Sequence, residues 1–541
     1  MVIVCALIIL AGYGLIRGMD LDHPNPLTFP ALLLVQLFFI RATTRRMSVS
    51  DRLREVTEWT ARNFRKIVPT ILVAAFFGSL AAVWVLRAFP NSGDEYSYLF
   101  GARTFLAGRL WNPAPDHSAF FTTWQILLAG GKWVSKYEPG WPAVLAAGRW
   151  LGLPFWAINP ILGVCLLAII AKIAWQQNGA FVAVVTLIIA FLSPFYLFMT
   201  ASYFNHVLAA VFGASFIYFA LDYRRKAGWQ SGLFAGAALG ALGLTRTFDV
   251  FVFLIPFVAD LLIRNDRRQY FSVLFILVGG APFLCALLLY NHAITGSAFM
   301  PPAQLYSPDL HLGIFPVDER GEAYPPGKTL GQAALLLVNL GEWTSPLILC
   351  AYGIAIAWRA RQHTLQFYDW IFAANVTLYL LHPGAGTDRY GPRFYFESYP
   401  FFVLTIAAVA GDMLRIKNVS AYGAKATGAF VAHLAACTAG LLIFPYFLRG
   451  IVDARMDVFD QVQRLQLANA VVIVRSSTGG YPNEWDPRNL TRNGTDLRGA
   501  VIYTLDPGPQ LPQLREMFPH RRFFAYERPP GAAESVLTPF D

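Results

Sequence analysis

Long apolar runs separated by short polar segments make up most of the chain. Many runs approach the ~20 residues that a helix needs to cross the hydrocarbon of a bilayer. The pattern predicts an all-α polytopic membrane protein with about thirteen membrane-spanning helices. We place them near residues 1–17, 24–40, 67–88, 155–174, 180–201, 204–221, 231–246, 248–263, 270–291, 342–358, 366–382, 394–411 and 426–447.

The charged residues predict how these helices are oriented. Lys and Arg cluster in short segments between apolar runs, at 41–66, 222–230, 264–268, 359–361 and 415–425. Because cytoplasmic loops are enriched in Lys and Arg, we expect these segments and the N-terminus to be cytoplasmic. The segments predicted to lie outside the membrane are then 89–154, 293–341, 383–393 and the C-terminal part.

Composition supports the same class of protein. Apolar residues make up 56% of the 541 residues and charged residues only 14%, which is unusual for a soluble chain. The net charge of +10 is explained by the cytoplasmic segments, so nucleic acid is not expected as a partner. We expect a multi-pass protein of the inner (plasma) membrane.

The pattern changes after about residue 450. Residues 471–474, 501–505 and 523–527 are typical of strands, and 452–466 and 511–518 of helices. We therefore predict three parts. Residues 1–66 form an N-terminal pair of spans with a basic linker, 67–449 form the main membrane domain with outer loop 89–154, and 450–541 form a small periplasmic or extracellular α/β domain.

Metal and disulfide chemistry has no support in the sequence. All five cysteines fall inside apolar runs, and neither they nor the histidines have metal-ligand spacing. We predict no metal site. A divalent metal remains possible without such a motif.

The first outer loop carries the most informative polar residues. Asp94 and Glu95 follow an apolar run directly. We expect a short interfacial helix at 102–110 and a second helix, interfacial or re-entrant, at 141–153. An acidic pair at a helix end can simply mark the water boundary, or it can deprotonate a substrate. Neighbouring Tyr and basic side chains favour a functional role, and they are Tyr96, Tyr98, Arg103, Lys136 and Tyr137.

Three further polar groups lie at predicted outer ends of spans. Asn205 and His206 suit either interfacial hydrogen bonding or a sugar contact, and Arg246 either pairs with Asp249 or contacts substrate. The last group suits phosphate recognition or boundary anchoring, and its members are Asp388, Arg389, Tyr390, Arg393 and Glu397.

Three motifs resemble bacterial membrane glycosyltransferases of the GT-C class, which include protein O-mannosyltransferases and the lipid A aminoarabinose transferase. The motifs are DEYSYLFGARTFLAGRL, SKYEPGWPAVL and YGPRFYFESYP, within a resemblance that covers roughly residues 67 to 447. The resemblance implies a GT-C-like fold, a polyprenyl-phosphate-linked sugar donor and chemistry on the outer face of the membrane.

The resemblance also implies roles for particular residues. Asp94 would be the general base, and Glu95 would orient the acceptor or support Asp94. Lys136 would face the donor phosphate, although KYEPG here replaces the family's K-x-P-P segment. Many relatives carry a second acidic residue where Asn205 and His206 stand, so a second carboxylate and a metal held by it are not supported.

The sequence therefore predicts a hexosyl- or pentosyltransferase that acts on a cell-envelope glycan, lipid or protein acceptor, with inversion at the anomeric carbon. The lipid-linked sugar is the donor rather than a separate cofactor, and membrane lipids surround the protein. The alternative is a polytopic lipid or small-molecule transporter. Transporters favour repeated halves and charges near the middle of the membrane, which this sequence lacks.

Overall fold

The computed structural model describes residues 28–44, 50–265, 267–318, 321–384, 386, 390–414, 419–475, 493–527 and 534–540. The predicted span at 1–17 and the site residue Arg389 lie outside the described residues.

Helices dominate the described membrane part. In chain order they are α1 (Thr28–Thr44), α2 (Ser50–Val85), α3 (Gly93–Leu106), α4 (Gly140–Trp150), α5 (Phe155–Asn178), α6 (Ala180–Phe191), α7 (Pro194–Ala201), α8 (His206–Lys226), α9 (Trp229–Thr245), α10 (Val250–Arg264), α11 (Arg267–Thr295), α12 (Pro302–Tyr306), α13 (Pro326–Trp343), α14 (Pro346–Arg361), α15 (Ile371–Leu378), α16 (Tyr399–Leu414) and α17 (Val419–Arg464).

Several of these helices are long and apolar enough to span a membrane. In the described part of the chain, five meet this requirement alone, within α2, α5, α8, α11 and α17. Two bent pairs, α6 with α7 and α13 with α14, raise the number to seven. The helical, membrane-type fold is confirmed, whereas the predicted number of about thirteen spans is not.

Serine and proline at the two bends explain why the helices break. Ser193 caps α7, its side chain accepting the Tyr196 N–H, and Pro194 is the first residue of that helix. Ser345 and Pro346 occupy the same positions at α14. Proline disfavours a helical residue before it and lacks an N–H, so a preceding helix ends there. The bends are 67° and 111°.

The first outer loop is more ordered than the sequence suggested. Helix α3 begins at Gly93, not at residue 102, because Ser92 caps it by accepting the Glu95 N–H at 3.2 Å. Helix α3 ends at Leu106, so the predicted bounds of 102–110 for an interfacial helix were wrong, and most of α3 before Arg103 is buried. The predicted second short helix is present as α4.

A small antiparallel sheet follows α3 and was not predicted. Its strands are β1 (Asn112–Pro113), β2 (Ile126–Ala129) and β3 (Lys132–Ser135), in the order β1-β3-β2. Gly130 and Gly131, both with positive φ, form the turn between β2 and β3. A Gly-Gly pair between two apolar runs is a hairpin signal. The hairpin brings residue 136 beside α3.

The C-terminal part contains the predicted strands, β4 (Ala470–Val474), β5 (Val501–Leu505) and β6 (Arg522–Glu527), together with β7 (Val536–Pro539) and α18 (Leu511–Met517). Strands β5, β4 and β6 are parallel neighbours, and β7 pairs antiparallel with β6. The predicted domain boundary at residue 450 falls inside α17, which continues without a break to Arg464. The helix continues because the polar residues after 450 still favour helix and find partners on the segment between α2 and α3.

The C-terminal sheet packs against the first outer loop. One hydrophobic cluster joins loop residues, including Phe100, Phe121 and Trp133, to Val471 and Ile473 of β4. The two segments therefore share a core, which places the sheet beside the helix that carries Asp94.

Candidate functional site

The candidate site is built around Asp94, in the first turn of α3. The hydroxyl of Tyr137, which follows β3, donates a hydrogen bond to Asp94 Oδ1. Arg393 Nη1 donates to Oδ2 at 2.7 Å. A carboxylate in the first turn of a helix is further stabilised by the unpaired backbone N–H groups there. Three segments that the sequence analysis named separately thus meet at one carboxylate.

Lys136 completes this group, which we call the Asp94 cluster: Asp94, Lys136, Tyr137 and Arg393. Its side chain is only 4% exposed and lies over the rings of Tyr137 and Tyr306, 5.2 Å and 4.9 Å from their centroids. Tyr306 ends α12, in the segment 293–341, and it was not among the predicted site residues. The aromatic faces attract the ammonium group and keep it beside Asp94.

The charges of the cluster keep Asp94 ionised. Burial has the largest single effect and raises the pKa of Asp94, but the charges of Arg393 and Lys136, together with hydrogen bonds, hold this pKa below its usual value. The hydrogen bond from Tyr137 acts in the same direction. Asp94 is therefore a carboxylate at neutral pH and can accept a hydrogen bond or a proton from a substrate.

Glu95 has a different environment. It is fully buried, and its two carboxylate oxygens accept the backbone N–H groups of Asn91 and Tyr203, both at 2.8 Å. These bonds tie the start of α3 to the turn before α8. The geometry suits support of Asp94, one of the two roles expected for Glu95.

A second polar group, which we call the Arg246 network, surrounds Arg246 after α9. Arg246 forms an ion pair with Asp249, so the expected pairing is present. It also contacts Glu397 at 3.1 Å, Asn205 Oδ1 at 3.2 Å and the Tyr379 hydroxyl at 2.8 Å. The guanidinium therefore lies where the start of α8, the end of α15 and the segment before α16 meet.

His206 joins this network through Glu397. Its Nδ1 lies 2.7 Å from Glu397 Oε1, and both side chains are almost fully buried. Asn205 also donates through Nδ2 to the Thr245 carbonyl at 3.2 Å. The network thus fixes the ends of α8 and α9 to the segment before α16.

Aromatic rings connect the network to the Asp94 cluster. Phe394 has the Arg246 guanidinium 5.8 Å from its centroid and that of Arg393 5.5 Å away. Arg393 also lies over Phe204, at 4.7 Å. The two groups are neighbouring parts of one site.

Two other predicted site residues, Tyr390 and Arg103, lie outside the Asp94 cluster. Tyr390 is fully buried, with its ring edge-on to Phe204. Arg103 lies nine residues beyond Asp94 on α3, about half a turn round the helix, and no contact joins it to the cluster within the described ranges. Tyr379 was missed, because an aromatic residue at the end of a span gives no specific signal.

An apolar groove lies beside the start of α4. The groove has a volume of about 630 Å³ and lies among the ends of α3, α4, α9 and α11, with Phe105, Pro139, Leu244 and Tyr290 in its wall. Glu138 precedes Pro139 and accepts a long hydrogen bond of 3.4 Å from Thr247. Burial raises the pKa of Glu138 above its usual value.

Among the residues that the structure describes, no group of three or more His, Cys, Asp or Glu side chains could hold a metal ion.

Solved structures with the same architecture are known. The ArnT structure from Cupriavidus metallidurans bound to undecaprenyl phosphate superposes with a TM-score of 0.53 at 12% identity, covering 87% of this chain and 97% of that one. The apo structure of the same protein gives 0.50 at 13% identity, covering 86% and 97%. The AglB oligosaccharyltransferase from Archaeoglobus fulgidus, in complex with an inhibitory peptide and a dolichol-phosphate, gives 0.45 at 11%, covering 86% and 70%.

No protein-family model matches the sequence, and no curated protein matches it either. The likeness to ArnT therefore lies in the fold. The chain has the GT-C fold, as the sequence motifs implied.

Proposed function

We propose that this protein is a membrane glycosyltransferase that moves a sugar from a polyprenyl-phosphate donor to an acceptor hydroxyl at the outer membrane face. The observation that carries the proposal is the Asp94 cluster of a chain with the GT-C fold. In this cluster the Asp94 carboxylate, in the first outer loop, is close to two cations, Lys136 of the same loop and Arg393 of a distant segment. A glycosyl transfer needs a proton acceptor and a compensating charge for a departing phosphate, and the cluster contains both.

In this reaction Asp94 is the general base. It takes the proton of the acceptor hydroxyl while the hydroxyl oxygen forms a bond to the anomeric carbon. The bond from that carbon to the phosphate oxygen breaks, and polyprenyl phosphate leaves with the bonding electrons. Because the oxygen attacks opposite the leaving phosphate and no covalent enzyme intermediate forms, the configuration at the anomeric carbon inverts.

Lys136 and Arg393 stabilise the departing phosphate. Fixed cations in a site shielded from water are effective where negative charge develops. Arg393 is bonded to Asp94 in this structure, so an arriving phosphate competes with Asp94 for the same guanidinium. Drawing Arg393 towards the phosphate raises the basicity of Asp94, which couples donor binding to activation of the base.

The other parts of the site would bind the rest of the substrates. The Arg246 network offers charged and hydrogen-bonding groups for the sugar or the acceptor. The apolar groove beside Glu138 suits an isoprenoid chain, and the structure of ArnT from Cupriavidus metallidurans contains such a carrier, undecaprenyl phosphate. The basic segments favour a cytoplasmic N-terminus, and with the predicted order of spans the proposal assigns the site and the C-terminal sheet to the outer side.

The direct test uses the purified protein in lipid nanodiscs with a synthetic polyprenyl-phosphate sugar and a cell-envelope extract as acceptor. We expect release of polyprenyl phosphate together with a glycosylated product of inverted configuration. A panel of hexose and pentose donors then identifies the sugar. Movement of the intact donor across proteoliposome membranes without any release of polyprenyl phosphate would instead support a transporter.

A further inference from the structure

The short segment between α2 and α3 has an unfavourable backbone conformation. Helix α2 ends at Val85 and α3 begins at Gly93, and two consecutive residues between them, Arg87 and Ala88, have φ values of 53° and 48°. A non-glycine residue is uncommon in this region and persists only where surrounding contacts impose it. Because this segment leads directly to Asp94, those contacts decide where the carboxylate lies.

The outer half of α17, residues 449–464, supplies these contacts. Arg87 forms ion pairs with Asp453 at 3.0 Å and with Asp460 at 2.8 Å, and the second of these is bidentate. The ring of Phe89 lies 6.0 Å from that of Phe459. The segment is therefore attached to α17 on both sides of Ala88.

A buried arginine extends this attachment to the site. Arg455 is 4% exposed, and its Nη1 donates to the backbone carbonyl of Asn91 and to Asn91 Oδ1, the latter at 3.1 Å. The Asn91 N–H donates to Glu95, whose other oxygen accepts the Tyr203 N–H. Hydrogen bonds thus run from α17 through Asn91 and Glu95 to the turn that begins α8.

We propose that Arg455 and Glu95 are positioning residues, through which the outer half of α17 fixes the start of α3 and hence the Asp94 carboxylate. The proposal rests on the function proposed above. Neither residue needs to touch substrate. A misplacement of about 1 Å at a reacting group can lower a rate roughly 10²-fold. Loss of the Arg455 contact can therefore lower the rate by displacing the Asp94 carboxylate.

The test compares Arg455→Met with Arg464→Met in the full-length protein. Arg464 lies on the same helix, but it is 70% exposed and 3.6 Å from its acidic partner. We expect R455M to lower kcat by roughly 10²-fold with little change in KM for the donor, because the phosphate-binding cations are left in place. R464M should match the wild type, and R455K, which retains a donor and a charge, should recover part of kcat.

Hydrogen exchange gives a readout that does not depend on transfer. In R455M the amides of residues 86–95 should exchange faster than in the wild type, whereas those of the distant α14 should not. Unchanged exchange together with a wild-type kcat would overturn the proposal, as would an equal loss of kcat in R464M.

Failure of the proposed function is distinguishable from failure of this inference. A wild-type protein that transfers no sugar refutes the function alone. In that case faster exchange confined to the start of α3 still supports the attachment through Arg455, and unchanged exchange still refutes it.

Discussion

Arg393 and Asp94 are 299 residues apart in the chain, yet Arg393 Nη1 donates to Asp94 Oδ2 at 2.7 Å. This ion pair joins the segment before α16 to the first turn of α3. It gives Arg393 two partners in the proposed reaction, the base before the donor binds and the phosphate afterwards. The predictions for Asp94, Arg393 and Lys136 follow from this competition.

Replacing Asp94 by Asn should abolish base catalysis while the fold is retained. General base catalysis contributes roughly 10²–10⁴-fold to a rate, so we expect a loss of kcat of that size in D94N. The amide keeps the shape of the carboxylate and can still accept from Tyr137. The measurement is the rate of polyprenyl phosphate release under saturating donor.

The matched control for D94N is Asp116→Asn, since Asp116 lies in the same outer loop but is exposed. D116N should release polyprenyl phosphate at the wild-type rate. Retention of full activity by a correctly folded D94N protein would remove Asp94 from the mechanism.

Replacing Arg393 by Met should change how activity depends on pH. Burial raises and Arg393 lowers the pKa of Asp94, so without Arg393 this pKa rises. Asp94 must be ionised to act as a base, and a higher pKa in the donor-free protein moves the acidic limb of the kcat/KM profile, which reports the free enzyme, to higher pH. In the wild type that limb should lie below the usual range of an Asp carboxyl.

Arg393→Lys provides the comparison, because a lysine keeps the positive charge but loses the planar guanidinium. Its acidic limb should lie between those of the wild type and R393M. If R393M and the wild type showed the same acidic limb, Arg393 would not control the ionisation of Asp94.

Replacing Lys136 by Met should weaken the interaction with the phosphate more than it disturbs the fold. Methionine fills a similar volume against Tyr137 and Tyr306 but carries no charge. We expect a higher KM for the donor and a lower kcat, because the lost cation acts on both the bound and the departing phosphate. Donor titrations at low and high salt measure both effects.

Lys328→Met is the control for the loss of a lysine charge on the outer side. Lys328 forms a surface ion pair with the exposed Glu322, and such pairs contribute little to stability. Equal changes in donor KM for K136M and K328M would show that the effect comes from net charge and not from the position of Lys136.

The sequence predicted what depends on local pattern. Helical segments lie within the predicted spans from α1 onward because each apolar run is encoded locally, although 180–201 and 342–358 contain breaks. Strands β4, β5 and β6 lie where short β-branched and aromatic runs occur. Asp94, Lys136 and Arg393 could be named because their motifs resemble a known class. Ser92 and Glu95, which show the S-x-x-E pattern of a helix start, would have placed the beginning of α3 correctly.

The contacts between distant segments could not be predicted in the same way. The pairing of Arg393 with Asp94, the position of Tyr306 over Lys136 and the attachment of Asn91 to Arg455 all depend on how the helices pack. The continuity of α17 through residue 450 was missed because the change from apolar to polar composition resembles a domain boundary. In the structure the polar residues after 450 contact the segment before α3.

Replacing Gly140 by Ala should destabilise the packing of α4, the helix that follows the Asp94 cluster residues Lys136 and Tyr137. Gly140 begins α4, where a Cβ would lie 2.6 Å from the Leu244 carbonyl oxygen and 2.7 Å from Thr245 Oγ1. Because backbone cannot move aside easily, we expect G140A to lower the free energy of unfolding by roughly 1–3 kcal/mol. Activity should fall as well, since α4 follows directly from Lys136 and Tyr137. Thermal unfolding in detergent measures the first effect. Gly353→Ala is the control, because a Cβ at Gly353 on α14 meets nothing within 4 Å and alanine favours helix. G353A should keep or raise the unfolding temperature, and equal unfolding temperatures for the two variants would contradict the close approach of α4 to the end of α9.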